Sequence, residues 1–233
     1  MVYGMKLHRF IGDFDLNKDI IEIEDAELAN QIRNVLRLKI GEKIVLSNGQ
    51  KEEVEATIIE SNKKYIEVSL GKVYKPNREP KKAITLYTAI LKRENFELIA
   101  QKTTELGISK IVPLITERTI KTGFSRERLE KIIREASEQS GRTTVPEIAE
   151  PTKFVEAIDE VNPKESVLFD LSGSPLTSNL SPLSCIFIGP EGGFTDQEVK
   201  IAKDAGIKIG SLGDLTLRGE TAAIIATHIA INS

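Results

Sequence analysis

The spacing of apolar residues changes near residue 80, and the change divides the chain into two regions. In the first region, short apolar runs alternate with polar positions, as in half-buried strands. The strands predicted from these runs are 20–23, 44–46, 54–59 and 65–70. The pair Asn48-Gly49 lies between two of them and is typical of a hairpin turn. This pattern predicts a small β-barrel.

One helix is predicted to interrupt these strands. Asp25 is suited to cap its first turn, and the helix is expected to run through Leu36. The residues expected on its apolar face are Leu28, Ile32, Val35 and Leu36.

The second region alternates strand-like and helix-like segments. The strands predicted there are 84–90, 111–115, 185–188 and 207–209. The helices are 96–106, 129–140, 196–205 and 220–231. Such alternation predicts a parallel sheet with helices on its faces, and ligands of these sheets bind beyond the carboxyl ends of the strands.

Residues 75–82 read KPNREPKK and separate the two regions. They contain two prolines and no apolar residue, so they are predicted to form a linker. A chain of 233 residues is long enough for two domains, which we place at 1–74 and 75–233.

Composition narrows the class of protein. No apolar run approaches the roughly 20 residues that cross a bilayer, and the first residues lack the apolar core of a secretory signal. We therefore expect a cytoplasmic protein. The single cysteine, Cys185, is expected in the core, and with only two histidines the chain is not expected to build a metal site.

The net charge of −3 is unevenly distributed. Residues 76–150 carry 14 Lys and Arg against 11 Asp and Glu, a net charge of +3, whereas residues 151–233 carry 6 against 11. Nucleic-acid affinity depends on a local positive face rather than on net charge. The sequence is therefore compatible with a shape-dependent RNA binder and not with a polycation-like one.

Residues 186–194 read IFIGPEGGF, an apolar strand followed by a glycine-rich turn. Thr195 and Glu198 then form the pattern of a capping box, which predicts that a helix begins at Asp196. Such a turn offers backbone N–H groups to a carboxylate, a ribose or a base edge. The glycine spacings of NTP-binding and dinucleotide-binding loops are missing, and an ordinary strand-to-helix turn is the alternative interpretation.

Residues 212–222 read LGDLTLRGETA and repeat this arrangement with an arginine embedded in it. Arg218 precedes an apolar helix, and its permanent charge needs a carboxylate or a bound ligand if its neighbours are apolar. One interpretation is a structural ion pair with Glu220. The other is a guanidinium that acts on a ligand.

Four ordered motifs resemble a known enzyme family. They are K-x-x-E-L-G at 102–107, E-Q-x-x-R at 138–142, GPEGG at 189–193 and LG-x-x-x-LR-x-ETA at 212–222. In this order they resemble the bacterial 16S ribosomal RNA uridine-N3 methyltransferases of the SPOUT superfamily, over essentially the whole chain. The sequence departs from the family at Thr216, where an aliphatic residue is usual, and at Gly219, where threonine is common.

The resemblance implies an α/β fold with a small N-terminal PUA-like β-barrel that binds RNA. It also implies a C-terminal SPOUT domain, with a mainly parallel sheet and a trefoil knot that holds S-adenosylmethionine. The implied reaction is methylation of N3 of one uridine, uridine 1498, in 16S ribosomal RNA. The implied partners are the small ribosomal subunit and a second copy of the chain, without a membrane or a metal.

The resemblance also assigns roles to residues. Arg218 is the predicted catalytic residue, because a guanidinium can stabilise negative charge on the uracil, and Glu220 is predicted to orient it or to accept a proton. The residues predicted to bind the cofactor are Ile188, Gly189, Pro190, Glu191, Gly192, Gly193, Leu212, Gly213, Leu215, Leu217, Arg218, Thr221 and Ala222. The residues predicted to contact RNA are Arg9, Arg37, Lys92, Arg93, Gln139 and Arg142.

The predicted RNA contacts differ in the observations that support them. Lys92 and Arg93 are chosen mainly for charge. Arg9 and Arg37 match family positions, but each could instead be a solvated surface charge.

Two other functions stay open. One alternative function is methylation of another RNA atom, such as a ribose 2′-oxygen. The other is a non-enzymatic RNA-binding protein of ribosome assembly.

Overall fold

A computed structural model describes residues 7–120, 123–175 and 183–233. The chain forms two compact units. Unit 1 comprises Met1–Glu79 and Ser137–Thr144, and unit 2 comprises Pro80–Ala136 and Val145–Ser233. The predicted limits of 1–74 and 75–233 would assign 137–144 to the second domain, and they stay a prediction.

Unit 1 is built on a mixed five-stranded sheet with the strand order β1-β3-β4-β5-β2. Its strands are β1 (Arg9–Ile11), β2 (Ile20–Ile23), β3 (Lys43–Ser47), β4 (Glu53–Ser61) and β5 (Ile66–Leu70). Strand β1 pairs with β3 in parallel, and the other three pairs are antiparallel. Gly49, between β3 and β4, has a φ of 70°, which confirms the predicted Asn48-Gly49 turn.

The helix of unit 1 departs from the prediction in its second half. Asp25 caps it, since its side chain accepts a hydrogen bond from the Leu28 N–H at 2.8 Å. Helix α1 (Ala26–Asn30) then continues as a π-helical turn, Gln31–Val35. The wider turn rotates the end of the helix, so Val35 is 67% exposed and its predicted place on the apolar face is wrong.

The segment 75–82 is not a free linker at its centre. The Arg78 side chain forms an ion pair with the buried Glu53 carboxylate at 2.5 Å. Glu79 accepts hydrogen bonds from the N–H groups of Thr143 and Thr144 at 2.7 and 3.1 Å. These charge-assisted hydrogen bonds fix Arg78 and Glu79 to unit 1, although the segment has no apolar side chain that could anchor it.

Unit 2 is built on a sheet with the order β12-β10-β11-β6-β7-β8, and β9 also pairs with β7. All of these pairings are parallel, as the alternation of strands and helices predicts. The strands are β6 (Thr85–Ala89), β7 (Lys110–Ile115), β8 (Glu147–Ile148), β9 (Thr152–Lys153), β10 (Ser166–Pro175), β11 (Cys185–Ile188) and β12 (Lys208–Ser211). The helices are α2 (Arg93–Leu106), α3 (Arg126–Ser140), α4 (Phe154–Glu160), α5 (Asp196–Asp204) and α6 (Gly219–Asn232).

Two apolar clusters cover the two faces of this sheet. On one face, side chains of α2, α3 and α6 pack on Leu86, Ile186 and Ile188. On the other face, α4 and α5 pack around Phe187, with the half-buried Cys185 at the margin. The sheet is thus a rigid layer whose strand ends present loops. The predicted trefoil knot depends on the path of residues 176–182, which lie outside the described residues, and it stays a prediction.

Candidate functional site

The candidate site lies at the carboxyl edge of the parallel sheet of unit 2. Because the strands of a parallel sheet all end at the same edge, the loops that follow β6, β7, β10, β11 and β12 share it. We call residues 189–195, after β11, the first glycine loop, and residues 212–218, after β12, the second glycine loop. Strand β10 alone separates β11 from β12.

The first glycine loop turns back sharply on itself. The N–H of Gly193 donates to the Pro190 carbonyl at 2.8 Å, and Gly193 has a φ of 66°, where glycine is favoured. A methyl group on Gly189 would lie 3.1 Å from the Gly193 carbonyl carbon, so the loop is closed at its base. Within the described residues, the N–H groups of Glu191 and Gly192 have no hydrogen-bond partner.

The predicted capping box is confirmed at the start of α5. The Thr195 hydroxyl accepts from the Glu198 N–H at 3.2 Å, and the Glu198 carboxylate accepts from the Thr195 N–H at 2.8 Å. Both bonds satisfy amides that the first helical turn leaves free. The first glycine loop is therefore fixed at its C-terminal end.

The second glycine loop has little internal hydrogen bonding. The Ser211 hydroxyl accepts from the Gly213 N–H at 3.2 Å, and Gly213 has a φ of 131°. As far as the chain is described, the N–H groups of Leu215, Thr216 and Leu217 donate to no protein group. Backbone groups that the fold leaves unpaired are available to a ligand.

The two loops meet where α6 begins. A methyl group on Gly219 would lie 3.7 Å from the Gly189 carbonyl oxygen, so the end of the second loop lies beside the start of the first. The same methyl group would lie only 2.8 Å from Leu91 Cδ1. Leu91, which is 2% exposed, fills the space that a threonine side chain at position 219 would need. The glycine at position 219, where threonine is common in the family, therefore fits the packing of Leu91 in this protein.

Arg218 ends the second glycine loop as the N-cap of α6, and its side chain is exposed. Among the described residues it has no ion pair and no hydrogen bond to its side chain, so the structural ion pair with Glu220 is not formed. Glu220 is instead buried, at 8% exposure. Because Arg218 is exposed, the condition of apolar neighbours, under which its charge would need a partner, is not met.

Glu220 has a buried carboxylate oxygen that lacks a hydrogen-bond partner in the part of the chain that the structure describes. Its Oε2 and the hydroxyls of Thr88 and Thr227 have no hydrogen-bond partner in the described chain. Glu220 and Thr227 are seven residues apart on α6 and so share one helix face, while Thr88 shares the β6 face of Leu86. Buried polar atoms are normally paired, so an unpaired carboxylate beside an open loop points to a ligand.

A third segment, not predicted from the sequence, lies at the same edge. Phe169 and Ser174 of β10 both align with Gly210, so residues 170–173 leave the ladder as a bulge between the two glycine loops. A methyl group on Gly173 would lie 2.5 Å from the Gly210 carbonyl carbon. An open depression of about 340 Å³ lies beside the bulge, and neither glycine loop lines it. The sequence signal for the bulge was Asp170-Leu-Ser-Gly after an apolar run.

The predicted cofactor residues lie either in the two glycine loops or in the strand and helix that flank them. Ile188 is 2% exposed with its side chain in the core, so only its backbone can reach the edge. Thr221 and Ala222 lie in the first turn of α6 and are half-buried, whereas Leu215 is 79% exposed. The remaining predicted residues belong to the two glycine loops. Their assignment to a cofactor stays a prediction.

Two of the arginines predicted to contact RNA are engaged in ion pairs within unit 1. Arg9 Nε lies 2.7 Å from Glu53 Oε1, and the side chains are 9% and 0% exposed. Arg142 Nη2 lies 2.9 Å from Glu79 Oε2, and the Arg142 side chain is 8% exposed. Burial lowers the pKa of Arg142, against the opposing effect of Glu79.

The other predicted RNA contacts are open to solvent. In unit 1, Gln139 is exposed and Arg37 is exposed with a φ of 56°, a left-handed conformation that is uncommon outside glycine. In unit 2, Lys92 is the exposed N-cap of α2, and Arg93 Nε lies 2.9 Å from Glu97. Glu97 also accepts from Arg128, whose hydrogen bond lowers the pKa of this carboxyl to about 2.

Two protein families match this sequence. Residues 77–231 match the family described as the RNA methyltransferase domain, and residues 23–71 match the RNA methyltransferase PUA domain. A ribosomal RNA small subunit methyltransferase E from Rickettsia conorii is 34% identical over 227 residues, which cover 91% of each chain.

Solved structures of related proteins have the same fold. A ribosomal RNA small subunit methyltransferase E from Neisseria gonorrhoeae, bound to S-adenosyl methionine, superposes with a TM-score of 0.87 at 29% identity and covers 95% of each chain. A putative methyltransferase from Legionella pneumophila, in complex with the same cofactor, gives a TM-score of 0.87 at 32% identity over 97% of each chain. The likeness extends over both units.

Metal sites and membrane spans are both absent from the described residues. No group of three or more His, Cys, Asp or Glu side chains there is arranged to hold a metal ion. Nor does any helix in those ranges combine the length and apolar character needed to cross a bilayer.

Proposed function

The chain belongs to the RNA methyltransferase family, and on that premise we propose that it transfers a methyl group from S-adenosylmethionine to N3 of uridine 1498 in 16S ribosomal RNA. The observation that carries the proposal is the meeting of the two glycine loops at the carboxyl edge of the sheet, with Arg218, which has no partner among the described residues, at their junction.

The two glycine loops fit this cofactor. Five N–H groups, those of Glu191, Gly192, Leu215, Thr216 and Leu217, are free to donate to adenine and ribose, as far as the chain is described. The absence of a side chain at Gly189 lets the loop close tightly at its base. Bound there, the cofactor supplies a methyl group already activated by its sulfonium.

Arg218 is assigned the catalytic role. When the uracil loses its N3 proton, negative charge spreads onto N3 and the carbonyl oxygens. A guanidinium at the end of the second glycine loop stabilises that charge. Since no carboxylate in the described residues neutralises Arg218, its full charge is available to the substrate. The guanidinium also helps to align N3, and alignment alone lowers the barrier to transfer.

Glu220 is assigned the role of proton acceptor. The ion pair with Arg218 is not formed, and Glu220 Oε2 is buried without a hydrogen-bond partner within the described chain. This oxygen is therefore free to accept the N3 proton.

RNA binding is assigned to exposed basic and polar groups. Lys92 and Arg93 follow β6 at the site's own edge, and Arg37 and Gln139 are exposed in unit 1. Arg9 and Arg142 are paired with carboxylates and support unit 1, which presents Arg37 and Gln139. We further propose a homodimer that acts on the small ribosomal subunit in the cytoplasm.

Product analysis tests this proposal. The protein is incubated with radiolabelled S-adenosylmethionine and small subunits from cells that lack the modification, and the digested nucleosides are separated. The expected product is labelled 3-methyluridine. Labelled 2′-O-methyl nucleosides without 3-methyluridine would establish the alternative reaction, and the absence of cofactor binding in calorimetry would favour a non-enzymatic RNA-binding protein.

A further inference from the structure

Arg118 reaches from the loop after β7 to the first glycine loop. Its Nη1 donates to the Gly192 carbonyl at 2.5 Å and to the Phe194 carbonyl at 3.2 Å. Its stem also lies against the loop, because a methyl group on Gly192 would be 3.4 Å from Arg118 Cδ. One nitrogen atom of one side chain therefore holds two carbonyls of this loop.

The base of Arg118 is itself fixed. The Thr116 and Thr119 hydroxyls lie 2.9 Å apart and close a turn around it. The N–H of Glu117 donates to Glu198 Oε1 at 2.9 Å, and Glu198 is 6% exposed. Glu198 thus serves the capping box of α5 with one oxygen and anchors the Arg118 turn with the other. A guanidinium on such an anchor can impose a conformation on the loop it holds.

We propose that Arg118 is a positioning residue that orients the first glycine loop for the cofactor. The peptide units that contain the Gly192 and Phe194 carbonyls are held at both ends, because their N–H groups, those of Gly193 and Thr195, donate to the Pro190 carbonyl and to Glu198. The second half of the loop is thereby fixed and sets the direction of the peptide units before it. Within the described residues, the N–H groups of Glu191 and Gly192 are the free ones. The inference rests on the proposed function, because the loop is taken to be a cofactor loop.

Three variants separate this role from others. Arg118→Met keeps a long apolar stem but removes the donor. Arg118→Lys keeps one cationic nitrogen. Because a single nitrogen of Arg118 makes both hydrogen bonds, the lysine variant should keep the wild-type conformation of the loop. Arg134→Ala removes another exposed arginine of unit 2, on α3, that makes no contact with the loop. All three are compared with the wild-type protein.

Two measurements are made on each protein. Calorimetry gives the dissociation constant for S-adenosylmethionine, and amide hydrogen exchange of the ligand-free protein reports on residues 189–195. In Arg118→Met we expect binding about tenfold weaker, with a raised KM and a kcat near that of wild type, and faster exchange confined to the loop. Arg118→Lys and Arg134→Ala should stay near wild type in both measurements.

Each contrary result has a distinct meaning. Unchanged binding and unchanged loop exchange in Arg118→Met would overturn the proposal and leave the methyltransferase function intact. Weaker binding with unchanged exchange would also overturn it, because Arg118 would then act on the ligand directly. If the wild type binds no S-adenosylmethionine, the proposed function fails, and the exchange data still decide whether Arg118 orients the loop.

Discussion

Arg9 and Arg78 of unit 1 and Arg218 of unit 2 have opposite surroundings. In unit 1, the carboxylate of Glu53 is fully buried and is shared by Arg9 and Arg78, at 2.7 and 2.5 Å. In unit 2, Arg218 has no carboxylate within the described chain, and the buried Glu220 has no cation.

The difference separates structural charges from functional ones. Removing one member of a buried ion pair leaves an uncompensated charge, so the fold depends on Glu53 and its two guanidinium groups, and these groups have little left to offer a ligand. An exposed arginine beside an unpaired buried carboxylate contributes little to folding. Mutations in unit 1 should therefore reduce stability without changing the chemistry, and mutations at the site should do the reverse.

The largest effect is expected from Arg218→Ala. We expect kcat to fall about a thousandfold, equivalent to about 4 kcal/mol, because charge on the uracil loses its stabilising guanidinium. The dissociation constant for S-adenosylmethionine and the melting temperature should stay near those of the wild type. Single-turnover kinetics and calorimetry measure these quantities, and a variant that keeps its activity would make Arg218 a mere surface charge.

Glu53→Gln should give the converse result. Removing the charge leaves Arg9 buried without its ionic partner, so the free energy of unfolding should fall by about 3 kcal/mol while kcat at low temperature stays near wild type. The matched control is Glu55→Gln on the same strand, whose ion pair with Lys43 is exposed and should contribute less than about 1 kcal/mol. Urea unfolding compares the three proteins, and equal stabilities would remove the distinction between the two regions.

The effect of Glu79 on the pH dependence of stability provides a further test of the structural charges in unit 1. Burial raises the pKa of this carboxyl, but hydrogen bonds from Thr143 and the Arg142 guanidinium outweigh it, and the pKa lies below its ordinary value of 4.5. A lowered folded pKa gives stability that is present above the unfolded value and is lost as pH falls through the folded one. Glu79→Gln should therefore cost about 1–2 kcal/mol at pH 7.

The two proteins should converge as the pH falls below 4.5 and through the lowered pKa of the folded protein, since the wild-type carboxyl becomes neutral over that range. Urea unfolding measured from pH 7 down to pH 3 follows the difference between them. A difference that stays constant over this range would show that the charge of Glu79 does not stabilise the unit.

The smallest effects are expected at Lys92 and Arg93. Each is exposed, so alanine should weaken RNA binding only about two- to threefold and should lower the slope of log affinity against log salt concentration by about 1. Filter binding with a fragment of 16S ribosomal RNA at several salt concentrations measures both quantities. An unchanged slope would remove these residues from the RNA interface.

Local sequence signals predicted much of the fold. Strand β11 and the helix after Thr195 were correctly predicted, because an apolar β-branched run and a capping box are short-range signals. Strand β1 was missed, since three residues carry no readable period. Strand β10 was missed because its bulge interrupts the alternation, and α4 because it has only seven residues.

The candidate site was predicted less completely than the fold. The glycine loops could be found because glycine and arginine mark them in the sequence. The partners of charged residues could not, because Glu53 and Arg9 are 44 residues apart, and only the folded sheet of unit 1 brings them together. For the same reason, nothing in the sequence showed that Arg118 reaches Gly192, 74 residues away.

A crystal structure with bound S-adenosylmethionine tests the central claim most directly. We predict density for the cofactor between the first and second glycine loops, with its base and ribose on the free N–H groups and its methyl group facing the side of Arg218. Cofactor density in the depression beside Gly173 and Lys203, with both glycine loops empty, would contradict the account.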